Sequence, residues 1–179
     1  VFKPTASQLR EAYGWRDKFV VLGVASGWDR RKGWDYFLDL AGKLGDACQV
    51  VLVGVSAEQK KRLPATVCGI EKTDSTAALA ELYSAADVFV NPTLEDNFPT
   101  TNLEALACGT PVVTFQTGGS VECLDASCGL TVPRGDAAAL VHSLNTLRGR
   151  NLRREDCVRR AKQYDKNERY RDYAALYET

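Results

Sequence analysis

Residues 87–115 read DVFVNPTLEDNFPTTNLEALACGTPVVTF and carry most of the information about the fold. Two apolar, β-branched runs, 87–91 and 111–115, flank a polar loop and a hydrophobic stretch that ends at Gly109. Short apolar runs of this kind are typical of strands that are covered on both faces. A glycine followed closely by a proline is typical of a helix end. The stretch therefore predicts a strand, a loop, a helix over 101–108 and a second strand.

The same alternation of strand and helix extends through the chain. Further strands are predicted at 19–25 and 49–54, with a weaker one at 65–69. The remaining predicted helices cover 33–44, 75–84, 136–147, 151–164 and 166–177. Alternating strands and helices predict an α/β fold, a doubly wound, Rossmann-like parallel sheet with helices on both faces. Ligands of such sheets bind outside the carboxyl ends of the strands, so we expect the site in the loops after residues 25, 54, 91 and 115.

The length and composition indicate a single globular domain over residues 1–179. We expect a linker-like start at 1–18, the Rossmann-like core at 19–147 and C-terminal helices at 148–179. There is neither a membrane-spanning run of roughly 20 apolar residues nor an apolar signal-peptide core at the N-terminus. Because the chain begins with Val1 and contains no methionine, we expect it to be a fragment of a longer protein.

The six cysteines and the single histidine, His142, do not form a metal-ligand pattern. No C-x-x-C pair occurs, and three of the cysteines lie in or beside apolar runs. This arrangement favours reduced, mostly buried thiols in a cytoplasmic protein and predicts no metal site.

The net charge is zero, which gives no indication of a nucleic-acid partner. The segment Arg148–Arg171, however, contains ten Lys or Arg residues and only four acids. One interpretation is a solvated, salt-bridged helix face. The other is a surface for a partner domain or for peripheral contact with the inner face of an anionic membrane.

The loop after the 87–91 strand carries adjacent carboxylates, Glu95 and Asp96, and leads into the helix that contains Glu104. The spacing Thr101-x-x-Glu104 fits a capping box, in which the glutamate bonds back to the helix start. On a loop, Glu95 and Asp96 are ordinarily solvated charges. The alternative for all three carboxylates is a functional site.

The first loop reads SGWDRRKG over residues 26–33 and places three cations, Arg30, Arg31 and Lys32, before a helix. Cations at a helix N-terminus oppose the helix dipole unless an anion joins them. The loop is therefore either a basic surface turn or a cradle for a diphosphate. The loop after the 111–115 strand contains Gly118 and Gly119, whose backbone N–H groups can approach a ligand closely.

These loops together resemble family 4 of the retaining glycosyltransferases, which have the GT-B architecture. Seven residues separate Asp96 from Glu104, as between the two acids of the family motif, and 104–113 follows its pattern Glu-Ala-x-Ala-x-Gly-x-Pro-Val-Val. A Gly-Gly-x-x-Glu element follows at 118–122, and the likeness runs from about residue 19 to 147. The resemblance implies the C-terminal, nucleotide-sugar-binding half of a GT-B enzyme, whose N-terminal acceptor domain is absent from this chain.

The resemblance also implies roles for individual residues. Glu104 would hold the ribose hydroxyls, Asp96 would face the donor sugar, and Lys32 would bind the diphosphate together with Arg30 or Arg31. We assign Lys32, Asp96 and Glu104 as catalytic. The residues expected to bind the donor are Gly27, Arg30, Arg31, Cys68, Ile70, Glu95, Asn97, Phe98, Pro99, Thr100, Gly118 and Gly119.

The chain departs from the family motif at several of these positions. The first acid is Asp96 rather than glutamate, with Glu95 beside it. Asn97 and Pro99 replace glycines, and Pro99 has no N–H to donate to a sugar. The arginine that ordinarily follows the first strand is missing. We therefore expect differences on the sugar and phosphate sides of the site.

The implied function of the full-length enzyme is transfer of a sugar from a nucleoside diphosphate to an acceptor hydroxyl with retained configuration, in glycan or cell-envelope biosynthesis. No cofactor or metal is expected besides the nucleotide sugar, and the isolated chain is expected to bind donor without transferring it. The alternatives are a sugar-nucleotide epimerase and a non-catalytic nucleotide- or sugar-binding module. A dinucleotide-dependent oxidoreductase is not supported, because residues 23–27, GVASG, do not form Gly-x-Gly-x-x-Gly.

Overall fold

The computed structural model describes residues 1–150 and 152–175 of the chain. The strands are β1 Phe19–Val24, β2 Cys48–Val53, β3 Val67–Ile70, β4 Val88–Asn91, β5 Val112–Phe115 and β6 Gly129–Val132. The helices are α1 Leu9–Ala12, α2 Trp34–Lys43, α3 Ala57–Lys61, α4 Thr76–Ala85, α5 Thr100–Ala107, α6 Ala137–Gly149, α7 Arg154–Lys162 and α8 Lys166–Ala175. A short 3₁₀ turn covers Gly118–Val121.

All paired strands run parallel in one six-stranded sheet of order β3-β2-β1-β4-β5-β6. The predicted doubly wound, Rossmann-like parallel sheet is therefore confirmed. The chain builds outward from β1 to β3 and then returns to place β4 on the other side of β1. The order of the strands reverses between β1 and β4, which makes this the point where ligands of such sheets bind.

Both faces of the sheet are covered, as the nearly continuous apolar strands predict. On one face, Phe37 and Leu40 of α2 and Leu140 of α6 pack with Val21 and other strand residues. On the opposite face, side chains of α4, α5 and α7 form a second core with the alternate residues of the same strands. The two loops that flank the reversal therefore enter helices on opposite faces of the sheet.

The element boundaries differ from the prediction in a few places. The strand β6 and the short helices α1 and α3 are additional, because each has at most five residues and too little periodicity to be recognised. The helix expected over 151–164 begins at Arg154 and ends at Lys162. Residue 151 and the expected helix end at 176–177 lie outside the described residues.

The cysteines behave as the sequence predicts, since all six are free and five of them are buried. Burial raises the pKa of the Cys108 and Cys128 thiols to about 11 and that of Cys157 to about 12. These thiols therefore act as small apolar side chains. In the described part of the chain, no helix combines the length and the apolar character that a membrane crossing requires.

Replacement of Phe37 tests the core beneath the first loop. The Phe37 side chain is fully buried and packs edge-to-face against Trp28 with the ring centroids 5.1 Å apart. We expect Phe37→Ala to lower the free energy of unfolding by about 3–5 kcal/mol in urea titrations. The matched control is Tyr170→Ala on α8, whose side chain is 70% exposed; it should cost less than about 0.5 kcal/mol. Equal effects of the two changes would contradict this packing.

Candidate functional site

The two loops at the reversal of strand order enclose a groove at the carboxyl ends of the strands. The groove has two adjoining clefts, which share Val24, Ala25, Ser26 and Thr101. The Glu104 cleft has a volume of 460 Å³ and is lined in addition by Val53, Gly54, Glu71, Lys72, Thr73, Leu79 and Glu104. The Lys32 cleft has a volume of 260 Å³ and is lined in addition by Trp28, Lys32, Asn91 and Thr100.

Glu104 is held by a tyrosine rather than by the start of its own helix. The N-cap of α5 is Pro99, and no side chain caps the first turn, so the capping box with Thr101 does not form. Instead, the buried Tyr83 hydroxyl on α4 donates to Glu104 Oε2 at 3.0 Å. Burial raises the pKa of the Glu104 carboxyl above its ordinary value, and the hydrogen bond from Tyr83 opposes part of that rise. The carboxylate is thus oriented while it lines the cleft.

Lys32 and Asp96 join the two loops across the groove. Lys32 Nζ lies 2.8 Å from Asp96 Oδ2, and the two side chains are only 28% and 17% exposed. The Lys32 backbone N–H donates to Asp29 Oδ1 at 2.7 Å, which fixes the turn that carries the lysine. The structure thus brings these two predicted site residues together. Their charges neutralise each other in the free chain.

The other two cations of the first loop are placed differently. Arg31 extends toward the second loop, where Nη1 donates to the Glu95 carbonyl at 3.3 Å. Arg31 and Gly27 line a shallower depression that continues from Lys32 toward Gly54. Arg30 is also exposed, but it lines neither cleft and does not line this depression. Of the two arginines that could take the place of the missing one, Arg31 is therefore the better positioned.

The paired glycines support the second loop by close backbone contact. Gly118 has a φ of +46°, and a Cβ atom there would lie 2.0 Å from the Asp96 carbonyl oxygen. A Cβ atom on Gly119 would lie 2.1 Å from the Asn97 carbonyl oxygen. The Gly119 N–H donates to that same Asn97 oxygen at 2.8 Å. In the free chain this N–H therefore serves to position residues 96–97, and a contact of Gly119 with a ligand stays a prediction.

The residues expected to contact the donor from β3 lie beside the cleft and not in its lining. Cys68 and Ile70 do not line the Glu104 cleft, which is reached by residues 71–73 instead. The pairing of Val53 with Ile70 keeps Ile70 within the sheet, and its carbonyl accepts from the Gly54 N–H at 2.9 Å. The cleft begins only where the strand has ended, so the boundary of β3 decides which residues face it.

Sequence reasoning missed a buried polar network behind the groove. Asn91 Nδ2 donates to Asn102 Oδ1 at 2.9 Å, and Asn102 Nδ2 donates to the Ser120 carbonyl at 3.0 Å. Thr114 Oγ1 donates to the Asn91 carbonyl at 2.8 Å. The network ties β4, α5, β5 and the glycine turn together. An asparagine within an otherwise apolar helix face was the available signal for Asn102.

The remaining donor-site residues lie along the second loop and the start of α5. Thr100 lines the Lys32 cleft, whereas Glu95 and Asn97 are exposed. Phe98 packs against Tyr164 with the ring centroids 5.8 Å apart, so its side chain anchors the loop to the segment that follows α7.

Comparisons with known proteins find relatives over most of the chain. Residues 18–149 match the sequence model of the family described as Glycosyl transferases group 1. The chain is 28% identical to 2-deoxystreptamine N-acetyl-D-glucosaminyltransferase of Streptomyces fradiae, over 80% of this chain and 37% of that enzyme. It is 30% identical to N,N'-diacetylbacillosaminyl-diphospho-undecaprenol alpha-1,3-N-acetylgalactosaminyltransferase of Campylobacter jejuni, over 90% of this chain and 45% of that enzyme. The chain thus spans less than half the length of these two relatives.

Solved structures show the same fold. Anabaena HepE in complex with UDP-glucose superposes with a TM-score of 0.77 at 22% identity, over 90% of this chain and 50% of that protein. Sucrose-phosphate synthase of Thermosynechococcus elongatus superposes with a TM-score of 0.76 at 24% identity, over 98% of this chain and 50% of that one. These likenesses confirm the Rossmann-like fold expected for the C-terminal half of the GT-B architecture.

The raised pKa of Glu104 predicts how its replacement changes stability with pH. The folded chain holds this proton more tightly than the unfolded chain, whose carboxyl has the ordinary value of 4.5. The contribution of the group to stability is therefore full below 4.5 and is lost as the pH rises through the raised pKa. Glu104→Gln, which can still accept from Tyr83, should gain stability relative to the parent as the pH rises from about 4 to 7.

Urea titrations across this pH range measure the difference. Glu58→Gln on α3, a change of an exposed glutamate, serves as the matched control. A Glu104→Gln variant whose stability runs parallel to that of the parent at every pH would contradict the burial of this carboxylate.

Proposed function

Because the chain belongs to the family Glycosyl transferases group 1, we propose that it is the donor-binding domain of an enzyme that transfers a sugar from a nucleoside diphosphate to an acceptor hydroxyl. The observation that carries the proposal is the groove at the reversal of strand order. It joins an oriented carboxylate, Glu104, to a cation, Lys32, through a shared wall. These groups match the ribose hydroxyls and the diphosphate of a nucleotide sugar.

In this proposal the nucleoside occupies the Glu104 cleft, with the ribose hydroxyls donating to the carboxylate. The base lies toward residues 71–73, and the diphosphate extends into the Lys32 cleft. That cleft also receives the start of α5, where Thr100 and Thr101 follow Pro99 without a side-chain cap. Uncapped N–H groups at a helix start bind anions, so helix and lysine act on the same phosphates.

The transfer requires the bond between the anomeric carbon and the diphosphate oxygen to break, with the electron pair leaving on that oxygen. The acceptor oxygen bonds to the anomeric carbon, and its proton passes to the departing diphosphate. Lys32 and the start of α5 would stabilise the negative charge that develops there. When a diphosphate binds, Lys32 exchanges its pairing with Asp96 for a pairing with phosphate. Asp96 is then released toward the donor sugar. Retention of configuration is also proposed, on the basis of the resemblance in sequence.

The acceptor site belongs, in this proposal, to a domain outside the chain. The described residues of this chain would then bind the donor without transferring it.

No observation in the groove favours a sugar-nucleotide epimerase. One observation favours a non-catalytic binding module, namely that Lys32 is already paired with Asp96. Turnover by the full-length protein, and its loss in Lys32→Ala, distinguishes the enzyme from the module.

Calorimetric binding tests the donor site directly. The parent chain should bind at least one of the uridine, guanosine and adenosine diphosphates, and Glu104→Ala and Lys32→Ala should each weaken that binding by about 10- to 100-fold, as expected for the loss of a charged hydrogen bond. Lys43→Ala is the matched control, because Lys43 pairs with Asp39 on the outer side of α2. If no nucleotide binds the parent at millimolar concentration, the proposed function is wrong.

Replacement of Asp96 separates the phosphate from the sugar side. Asp96→Asn removes the carboxylate that holds Lys32, so a nucleoside diphosphate should bind up to about tenfold more tightly. The additional affinity that the sugar confers on the nucleotide sugar should fall at the same time. Calorimetry with both ligands measures the two effects, and Asp39→Asn serves as the control. Weaker diphosphate binding by Asp96→Asn would contradict the exchange of partners by Lys32.

A further inference from the structure

Tyr83 is a buried residue whose hydroxyl reaches the groove through Glu104. Its side chain is fully buried, and its hydroxyl donates to Glu104 Oε2 at 3.0 Å. Burial and the neighbouring carboxylate raise the pKa of Tyr83 well above its ordinary value of 10. The phenol therefore stays protonated and can only donate to the carboxylate. Glu104 accepts no other hydrogen bond from a side chain within the described residues, so Tyr83 alone orients it.

The Tyr83 ring is itself fixed on two sides. Phe2 packs edge-to-face against it with the ring centroids 5.9 Å apart, and Phe89 of β4 does so at 5.4 Å. The backbone of Tyr83 is held as well, because Thr110 Oγ1 donates to its carbonyl at 2.6 Å. A phenol held by two rings and a backbone hydrogen bond has little freedom to turn away from Glu104.

The carboxylate, in contrast, has an intrinsically loose torsion. The last side-chain torsion of glutamate is broad, so an unanchored carboxylate samples many orientations. The hydrogen bond from Tyr83 occupies Oε2, while no side chain of the described residues bonds to Oε1 of this cleft-lining carboxylate. A fixed acceptor binds a ligand hydroxyl with a smaller loss of conformational entropy than a mobile one.

We propose that Tyr83 is a positioning residue for nucleotide recognition, which fixes the Glu104 carboxylate in the orientation that accepts the ribose hydroxyls. The inference rests on the proposed function, because it assigns a role to a partner of the ribose-binding glutamate. The simpler alternative is a purely structural hydrogen bond between α4 and α5. The positioning role and the structural role predict different effects when the hydroxyl is removed. Only a positioning role weakens binding of the ribose and leaves binding of the rest of the nucleotide unchanged.

Tyr83→Phe removes the hydroxyl and keeps the ring between Phe2 and Phe89. Glu104 remains half-buried at an open cleft where water can replace the phenol, so the fold should persist. The probes are the nucleoside diphosphate that binds the parent and its 2′,3′-dideoxy form, both measured by calorimetry. The ratio of the two dissociation constants, that of the dideoxy form divided by that of the ribose form, reports recognition of the ribose hydroxyls. We expect Tyr83→Phe to lower this ratio by about tenfold, mainly by weakening the ribose form.

Two further variants complete the experiment. Tyr36→Phe removes a phenol hydroxyl on α2, where it contacts the Gly135 carbonyl, and should leave the ratio unchanged. In the Glu104→Ala background, Tyr83→Phe should have little further effect on the ratio, because the tyrosine acts through that carboxylate.

The outcomes separate this inference from the function on which it rests. A parent chain that binds no nucleoside diphosphate refutes the proposed function, and the inference with it. A parent that prefers the ribose form, together with a Tyr83→Phe variant that keeps the full preference, overturns the inference alone. In that case a fall in thermal stability of the variant would identify the hydrogen bond as a structural one between α4 and α5.

Discussion

The parallel pairing of β1 with β4 is the constraint on which the rest of this structure depends. The pairing is short, with Val21 opposite Val88 and Leu22 opposite Phe89. It nevertheless brings together two strands whose following loops turn to opposite faces of the sheet, since α2 and α5 lie on different sides. A groove must open between loops that diverge in this way. Lys32 and Asp96 lie on these two loops, and Glu104 lies on the helix that follows the second.

One charge of the groove is neutralised in the free chain, because Asp96 pairs with Lys32. Arg31 keeps its charge, since its Nη1 donates to the neutral Glu95 carbonyl. In the proposed function, a bound diphosphate takes the place of Asp96 as the partner of Lys32. This arrangement reduces the repulsion among neighbouring cations before the ligand arrives. The same ion pair couples the proposed phosphate side of the groove to the proposed sugar side.

Glu104 differs from Lys32, because no ion pair among the described residues neutralises its charge. Burial disfavours its charged form, and one hydrogen bond from Tyr83 offsets part of that cost. Destabilising groups of this kind are retained at functional sites at the expense of overall stability. The phenol, the two rings around it and the carboxylate form one packed unit. The N-terminal segment joins this unit through Phe2.

The sequence by itself determined the sheet, its loops and the approximate location of the groove, because apolar runs and glycine–proline punctuation are local signals. Local spacing also suggested a capping box at Thr101 and Glu104, and there it was wrong. Only the tertiary structure decided that Glu104 pairs with Tyr83, and that Gly119 donates to Asn97 rather than to a ligand. Partners of this kind are about 20 residues apart in the chain. Their contact depends on how helices and strands pack and align, which residue type and periodicity do not specify.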